Sequence, residues 1–156
     1  MAEPTELFTG DLSKDRLRLW LRLLKAGSAV EDEIRRRLRS EFDSTLPRFD
    51  VMSALLRFPE GLKMSQISKL LKVSNGNITG IVDKLADEGL ALRVPVPGDR
   101  RASLVTLTPK GQTAFRAQAR AHESWVNELL GGLSGQDIET VSALLDSLVA
   151  APGKRE

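Results

Sequence analysis

The sequence predicts a mainly α-helical protein that carries one small β-hairpin. Aromatic residues make up only 4% of the 156 residues, and the abundance of Leu, Ala, Arg and Glu favours helix over strand. Apolar residues recur at helical spacing along most of the chain. The exception is the stretch VPGDRRASLVTLTPKG, residues 96–111, in which a Pro-Gly pair stands between two short β-like runs.

Composition restricts the kind of protein this chain can be. A length of 156 residues with 41% hydrophobic side chains supports one buried core, so we expect a single unit across residues 1–156. The lack of cysteine excludes a disulfide framework, a thiolate metal site and a cysteine redox switch. Neither a run of 18 apolar residues nor a signal-peptide pattern occurs, so we expect a soluble, cytoplasmic protein without a membrane partner.

Basic charge is concentrated in the middle of the chain. Residues 45–111 hold ten basic and six acidic side chains, whereas residues 1–44 are balanced and residues 112–156 carry a net −2. A basic central segment favours a polyanion as partner. The other basic cluster, RRRLR at residues 35–39, has acidic residues on both sides. We expect ion pairs at three- and four-residue spacing to neutralise it.

The first predicted helix lies within residues 11–43 and carries a long apolar stripe. Ser13 is its candidate N-cap, and we expect it to run to about Ser40. Trp20 lies among apolar neighbours, which favours packing in a core or a dimer interface over the wall of a ligand pocket. The stripe is formed by Leu17, Leu21, Leu24, Val30, Ile34 and Leu38.

The next three predicted helices place a helix-turn-helix in the middle of the chain. The first begins at Ser44 or Thr45, with Pro47 in its first turn. A short helix over residues 65–71 follows, and after the turn KVS a third helix is capped by Ser74. Two short amphipathic helices joined by about three residues are typical of a helix-turn-helix. The inward residues of the short helix are Ile67, Leu70 and Leu71.

The third of these helices combines a buried face with an unusual outer face. The outer face holds Gly76 and Gly80, although a glycine inside a helix costs about 1 kcal/mol relative to alanine. This choice favours close approach by a partner, with Asn77 and Thr79 beside the glycines as hydrogen-bonding groups. The alternative is that Gly76 occupies a forgiving first turn and Gly80 is incidental. The inward stripe consists of Ile78, Ile81, Val82 and Leu85.

A β-hairpin follows this helix. Gly89 can close the helix, and the runs LRVPV and SLVTLT lie on either side of the turn PGDRRA. A hairpin directly after a helix-turn-helix is a wing. We expect Arg100 and Arg101 at its tip, where guanidinium groups can enter a narrow minor groove or contact phosphates, with Asp99 orienting one of them through an ion pair. The alternative is a surface hairpin with a chance basic pair.

The last part of the chain, residues 112–150, predicts two helices that contribute to a dimer. Gly131 and Gly132 separate them, and Ser134 with Asp137 caps the second. The compact central region cannot cover both the stripe of this second helix and that of the first helix of the chain. Packing across a two-fold axis is therefore the economical solution. The stripe of the last helix contains Ile138, Val141, Leu145 and Leu148.

The sequence offers no catalytic or metal-binding constellation, so we expect neither an enzyme nor a cofactor. His122 is the only histidine, which leaves a histidine metal site or a Ser-His-Asp triad incomplete. A phosphate loop and a Gly-x-Ser-x-Gly elbow are also missing. We interpret His122 as a structural or surface residue, with pH sensing as the alternative. Trp125 resembles Trp20 in its apolar helical surroundings.

Together these motifs resemble the MarR family of winged-helix transcriptional regulators. The resemblance rests on MSQISKLLKVSNGNITGIVDKLADEGLALR at residues 64–93, on Asp99 and Arg101, and on VTLTPKG at residues 105–111. It implies a homodimer, mostly a repressor, that binds a pseudo-palindromic operator and is often released by a small aromatic or carboxylate effector. Members that sense peroxide use cysteine and members that sense zinc need ligand clusters, and this chain departs from both patterns.

The resemblance also implies a division of labour along the chain. It places a winged helix-turn-helix for double-stranded DNA at residues 44–111, between dimerisation helices at residues 11–43 and 112–150. A winged helix used for protein interaction without DNA binding is the alternative, and it has no need for the glycines and wing arginines. The predicted DNA-binding residues are Ser65, Ser74, Asn75, Gly76, Asn77, Thr79, Gly80, Lys84, Arg100 and Arg101, with Asp99 as wing support. The predicted dimerisation residues are Leu17, Trp20, Ile138, Val141, Leu145 and Leu148.

Overall fold

The computed structural model describes residues 11–153, and within that range six helices and three strands confirm the predicted fold class. The side chains of Asn75 and of residues 151–153 lie outside the description. In chain order the elements are α1 (Asp11–Phe42), α2 (Leu46–Arg57), β1 (Leu62–Lys63), α3 (Met64–Leu71), α4 (Asn75–Asp87), β2 (Ala91–Val96), β3 (Asp99–Leu107), α5 (Pro109–Leu129) and α6 (Gly135–Gly153).

The chain divides into two compact units, residues 1–122 and residues 123–156. The first unit contains α1 to α4, the sheet and the first part of α5, and the second contains the end of α5 and α6. The core of the first unit lies between α2, α3, α4 and the sheet, because each of these elements contributes apolar side chains that are fully removed from solvent. They include Val51, Met52, Ile67, Ile78, Val82, Leu85 and Val105.

Side-chain caps set most helix starts where the sequence predicts them. Thr45 caps α2, since its hydroxyl accepts a hydrogen bond from the backbone N–H of Arg48 at 3.3 Å. Ser134 and Asp137 cap α6 reciprocally, at 2.9 and 3.1 Å, and hydrogen bonding of the Asp137 carboxylate to the backbone N–H and the side chain of Ser134 lowers the pKa of Asp137. The prediction for Ser13 is wrong, because α1 already includes Asp11.

The sheet contains one strand more than the predicted hairpin. Its order is β1-β3-β2, and β1 pairs Leu62 with Val105. Gly61 permits this approach: it has φ +104°, and a Cβ there would lie 3.0 Å from the side chains of Leu104 and Thr106. A strand of two residues is too short to leave an alternating pattern in the sequence, which is why β1 was not predicted.

The short helix α3 departs from its predicted stripe at one position. Ile67 is fully buried and Leu71 is half-buried, but Leu70 is exposed. Only one side of this two-turn helix packs on the core. Leu70 lies on the solvent edge of that narrow stripe.

Helix α1 changes character along its length. Its C-terminal half buries Ile34 and Leu38 within the chain, so the predicted stripe is not one continuous uncovered face. Its N-terminal half, and α6 up to residue 150, instead leave most of their large apolar side chains exposed. Those on α1 are Leu12, Leu17, Leu19, Trp20, Leu21 and Leu24, and those on α6 are Ile138, Val141, Leu144, Leu145, Leu148 and Val149.

Candidate nucleic-acid interface

Helix α4 is fixed in rotation by one cap and one buried stripe. The Ser74 hydroxyl accepts a hydrogen bond from the backbone N–H of Asn77 at 3.3 Å, which confirms the predicted start. Ile78, Val82 and Leu85 are fully buried. Because the inward face is committed to the core, the opposite face must point to solvent.

The outer face of α4 is small and polar, as predicted. Its described members Gly76, Asn77, Thr79, Gly80 and Lys84 are all exposed. Asn75 is the first residue of the helix, but its side chain lies outside the described part of the structure.

No contact within the described fold requires glycine at either of these two positions. Neither has a positive φ, and a Cβ built at Gly76 or Gly80 meets no atom within 4 Å. Alanine would fit at both sites and would favour the helix by about 1 kcal/mol at an interior position. The chain therefore keeps a destabilising residue twice, one helical turn apart, on an open surface.

The wing is a two-residue turn followed by a bulge. Pro97 and Gly98 form the turn, with φ +82° at Gly98. Val96 pairs with Asp99, and the preceding pair is Pro95 with Ser103. Residues 100–102 therefore bulge from the ladder between these two pairs. A bulge bends a strand and redirects its side chains.

This geometry corrects two details of the predicted wing. Arg100 and Arg101 lie on β3 in the bulge, because the turn needs only Pro97 and Gly98. Asp99 does not form the predicted ion pair. Its Oδ1 accepts a hydrogen bond from the backbone N–H of Arg101 at 3.0 Å, since a carboxylate two residues away reaches the backbone more easily than the guanidinium group.

The bulge brings the wing next to the start of α3. A groove of about 320 Å³ is lined by Lys63, Ser65 and Arg101, together with Met64, Ala102 and Ser103. Ser65 and Arg101 were predicted as DNA-binding residues, whereas Lys63 was not. Its position one residue before α3, with its backbone N–H donating to Gln66 Oε1 at 2.8 Å, is recognisable only once the helix start is known.

Two ion pairs absent from the sequence prediction hold α4 in place. Arg93 of β2 pairs with Asp83 of α4, which joins the wing to the helix. Arg48 of α2 binds both carboxylate oxygens of Glu88, at 2.8 and 3.0 Å, and this pairing lowers the pKa of Glu88. No local pattern reveals the second pair, because its partners are 40 residues apart.

The junction after α4 is also tightly specified. A Cβ at Gly111 would lie 2.0 Å from the carbonyl oxygen of Leu90, so only glycine fits there. The Thr108 hydroxyl donates to the carbonyl of Gly89 at 2.7 Å and accepts from the N–H of Gly111 at 2.9 Å. The wing is thereby fixed to the start of α5.

A cavity of about 600 Å³ lies beside α4 in the first unit. Three buried polar atoms that have no hydrogen-bond partner among the described residues belong to side chains in its wall: Ser44 Oγ, Arg48 Nε and Gln118 Oε1. Arg39 and Lys84 add positive charge to this wall, and Asp43 and Glu88 add negative charge. Buried polar groups are normally paired, so this cluster is suited to a small polar or anionic molecule.

His122 and the two tryptophans differ in how they are packed. The ring of His122 stacks on Phe49 with centroids 4.8 Å apart. Trp125 is buried and Trp20 is 54% exposed, so Trp20 does not belong to a core within one chain. Between residues 11 and 153, no group of three or more potential metal ligands lies close enough together to hold a metal ion. No helix in that range is long and apolar enough to span a bilayer.

Three of the four arginines at residues 35–39 form the predicted intrahelical ion pairs, and the fourth, Arg39, lines the cavity described above. Arg35 pairs with Glu31 at 2.9 Å, and Arg36 and Arg37 both pair with Glu33, at 2.6 and 2.7 Å. The hydrogen bonds from Arg36 and Arg37 lower the pKa of Glu33 to about 2. Arg35, Arg36 and Arg37 are therefore engaged in intrahelical ion pairs, as expected for a solvated helix face.

Comparison with known proteins gives a consistent result. A family model described as "MarR family" matches residues 42–102. The crystal structure of a MarR family transcriptional regulator from Silicibacter pomeroyi is 34% identical, covers 90% of this chain and 97% of that one, and has a TM-score of 0.75. The multiple antibiotic resistance protein MarR of Salmonella typhimurium is 28% identical over 90% of this chain and 97% of its own length. A mutant MarR from E. coli complexed with operator DNA is 24% identical, covers 88% of this chain and 98% of that one, and has a TM-score of 0.74.

Proposed function

Because the chain belongs to the MarR family of transcriptional regulators, we propose that it is a ligand-responsive repressor that binds a pseudo-palindromic operator as a homodimer. Membership itself makes the protein a DNA-binding transcriptional regulator and not an enzyme. To this membership the proposal adds repression, a pseudo-palindromic operator, the residues that contact DNA, and a small effector.

One observation carries the assignment of the DNA surface to α4. Gly76 and Gly80 are exposed and sterically unconstrained within the described fold, yet they weaken the helix. A partner that approaches closely explains both glycines, because a Cβ at either position would stand between the helix and a base edge or a sugar-phosphate backbone. The major groove of B-DNA admits an α-helix in this way.

The side chains around the glycines supply the two kinds of contact that a DNA-binding surface needs. Asn77 and Thr79 are placed for hydrogen bonds to base edges, which carry sequence information. The charged and hydroxyl groups of Ser65, Lys84 and Arg100 are suited to phosphates. Arg101, exposed on the bulge, is suited to the minor groove. Ser74 and Asn75 complete the predicted helix N-terminus, and Lys63 joins the phosphate-contacting set.

The exposed apolar faces of the terminal helices support a homodimer. Six large apolar side chains on α6 and six on the N-terminal half of α1 are exposed in the single chain. Burial of apolar surface stabilises by about 25 cal/mol per Å², so a second copy is the natural cover. A two-fold dimer presents two copies of α4, which is why the proposed operator has two symmetric half-sites.

The cavity beside α4 is the proposed effector site. The Arg48 Nε donor and the Ser44 hydroxyl, with Arg39 and Lys84 nearby, are suited to a small carboxylate, including an aromatic one. Gln118 Oε1, together with Asp43 and Glu88 in the same wall, is suited to a hydroxyl or amide donor on that molecule. A neighbouring cavity of about 450 Å³ is lined by Arg39 and Ser44 and also by Asn77. A ligand in this region would therefore lie next to a proposed base-contacting residue.

Selection of bound genomic fragments, followed by footprinting, tests the function. We expect a protected site with two inverted half-sites whose centres lie about 10 base pairs or a multiple apart. A reporter driven by the adjacent promoter should be repressed, and a panel of aromatic carboxylates should contain a compound that relieves repression. Failure to enrich any fragment would favour the protein-interaction alternative, and increased reporter expression would replace repression by activation.

A further inference from the structure

Arg48 connects the core of the winged helix to the end of α4. Its Nη1 and Nη2 atoms donate to Oε2 and Oε1 of Glu88 at 3.0 and 2.8 Å. The Arg48 side chain is only 14% exposed, compared with 44% for Glu88. A two-point contact between planar groups restricts both distance and angle. Since α2 is anchored by Val51 and Met52, which are fully buried, Arg48 holds Glu88 against a rigid element.

Glu88 stands where the direction of α4 is set. It is the residue directly after the helix, and its backbone carbonyl accepts a hydrogen bond from Lys110 Nζ at 3.0 Å. Gly89 follows with φ +75° and turns the chain into β2. A change at this end tilts the whole helix, including Asn77 and Gly80 on its outer face.

The third guanidinium nitrogen of Arg48, Nε, takes no part in the ion pair with Glu88. Nε is buried without a partner among the described residues, in the same cavity wall as Ser44 and Gln118. Leaving a buried donor unsatisfied is costly, so a pair selected for stability alone would not require this arrangement. The same guanidinium group therefore joins the wall of the proposed effector cavity to the end of α4.

We propose that Arg48 is a positioning residue that sets the angle of α4 through Glu88, so that affinity for the operator depends on this pair while general DNA affinity does not. The proposal rests on the DNA-binding function proposed above. A guanidinium group is required, because an ammonium group cannot hold both carboxylate oxygens in one plane.

Direct contact between Arg48 and DNA is the competing interpretation. Arg48 also lines a groove with Gly76, Asn77, Gly80 and Lys84 on the outer side of α4. If Arg48 contacted a phosphate, Glu88 would compete with DNA for its guanidinium group. Removing the Glu88 charge would then strengthen DNA binding, whereas the positioning role predicts that it weakens operator binding.

The test is a double-mutant cycle in the full-length protein. Arg48→Gln, Glu88→Gln, the double variant and Arg48→Lys are titrated by fluorescence anisotropy against the operator duplex and a scrambled duplex. We expect each glutamine variant to lose about tenfold in operator affinity, and the double variant to lose no more than either single one. Scrambled-duplex affinity should stay within about twofold, and Arg48→Lys should remain several-fold weaker than wild type on the operator.

Arg36→Gln is the matched control. It removes the same group from an exposed intrahelical pair with Glu33 that does not contact α4, and we expect wild-type operator affinity. Circular dichroism checks that each variant is folded. Should Arg48→Gln fail to fold, Glu88→Gln still decides, because tighter and weaker operator binding assign opposite roles.

Four results would overturn the positioning role. The first three are tighter or unchanged operator binding by Glu88→Gln, losses that multiply in the double variant, and wild-type operator affinity of Arg48→Lys. Parallel loss on operator and scrambled duplexes would likewise identify a direct phosphate contact. If the wild-type protein bound no duplex at all, the proposed function would fail. If it bound and the variants matched it, only this inference would fail.

Discussion

The winged helix and the terminal helices are built from similar residues but treat them in opposite ways. In the first region Val51, Ile67, Val82 and Val105 are completely buried. In the second, Leu17, Trp20, Leu145 and Leu148 remain between 40% and 57% exposed. Both regions show helical periodicity in the sequence, so periodicity alone does not reveal whether an apolar stripe is covered by its own chain.

The difference separates what one chain completes from what it leaves for a partner. The winged helix closes its core, although Leu70, Leu92 and Val94 stay exposed, and the outer face of α4 is a polar surface with two glycines. The terminal helices display an apolar surface, which in water favours association. One region is therefore suited to DNA and the other to a second copy, and substitutions in each should have distinct consequences.

The largest expected effect comes from a charge in the apolar face of α6. Leu145→Asp would place a carboxylate in the proposed dimer interface, at a cost of several kcal/mol for an unpaired buried charge. Light scattering should show a dimer for wild type and a monomer for the variant at micromolar concentration. Operator affinity should fall although Leu145 lies outside the proposed DNA surface, because each half-site is then bound by one subunit alone.

Ser147→Asp is the control for this experiment. It introduces the same charge on α6 two residues away, on the opposite side of the helix from Leu145. We expect it to remain dimeric. A folded wild-type monomer at micromolar concentration would refute the assignment of α6 to the dimer.

The next effect should be confined to sequence recognition. Asn77→Ala removes a side chain suited to paired hydrogen bonds with an adenine edge, so it should cost about 1 to 3 kcal/mol per half-site. Preference at one base position should relax while affinity for scrambled DNA and the salt slope change little. Anisotropy with operators substituted at each position measures this. An equal loss on every sequence would show that Asn77 does not contact a base.

Gly80→Ala should move stability and binding in opposite directions. The methyl group has open space in the described fold, so thermal unfolding should reveal stabilisation by up to about 1 kcal/mol. DNA affinity should nevertheless fall, because the same methyl group stands where the groove approaches. Gly27→Ala is the control for helix stabilisation, since its Cβ also meets no atom within 4 Å, and because Gly27 lies one turn after Leu24 on the apolar face of α1, light scattering must show that this variant stays dimeric. It should stabilise α1 without altering DNA affinity, and unchanged DNA binding by Gly80→Ala would remove the case for close approach.

The smallest effect is electrostatic. Arg101→Ala should lower the salt slope of DNA binding by about one unit per subunit, and weaken operator and scrambled duplexes together. Arg116→Ala, which removes an exposed arginine on α5 outside the proposed surface, should leave the slope unchanged. An unaltered slope for Arg101→Ala would mean that the bulge does not contact DNA.

Local chemistry explains which parts of the fold and site the sequence could predict. The caps at Thr45, Ser74 and Ser134 act over three residues, so their helix starts are visible in the sequence. The outer face of α4 follows from its buried stripe in the same way. The Pro97–Gly98 turn also identifies itself through residues that favour turns.

Contacts between distant segments explain the rest. Arg48 and Glu88 are separated by 40 positions, and β1 exists only because Gly61 lets residues 62–63 reach β3. The bulge that carries Arg100 and Arg101 depends on the register between two strands, which a short alternating pattern does not fix. The Arg48–Glu88 pair, β1 and the bulge form only when distant segments of the winged helix pack together, so no local sequence pattern indicates them.

The salt dependence of duplex binding tests most directly whether α4 and the wing form a sequence-specific DNA surface. Wild-type affinity for the selected operator and for a scrambled duplex is measured by anisotropy at several salt concentrations. We expect the logarithm of DNA affinity to fall linearly and steeply with the logarithm of salt concentration on both duplexes. We also expect the operator to be preferred by at least about a thousandfold. Equal affinity for the two duplexes, or affinity that does not respond to salt, would contradict this expectation.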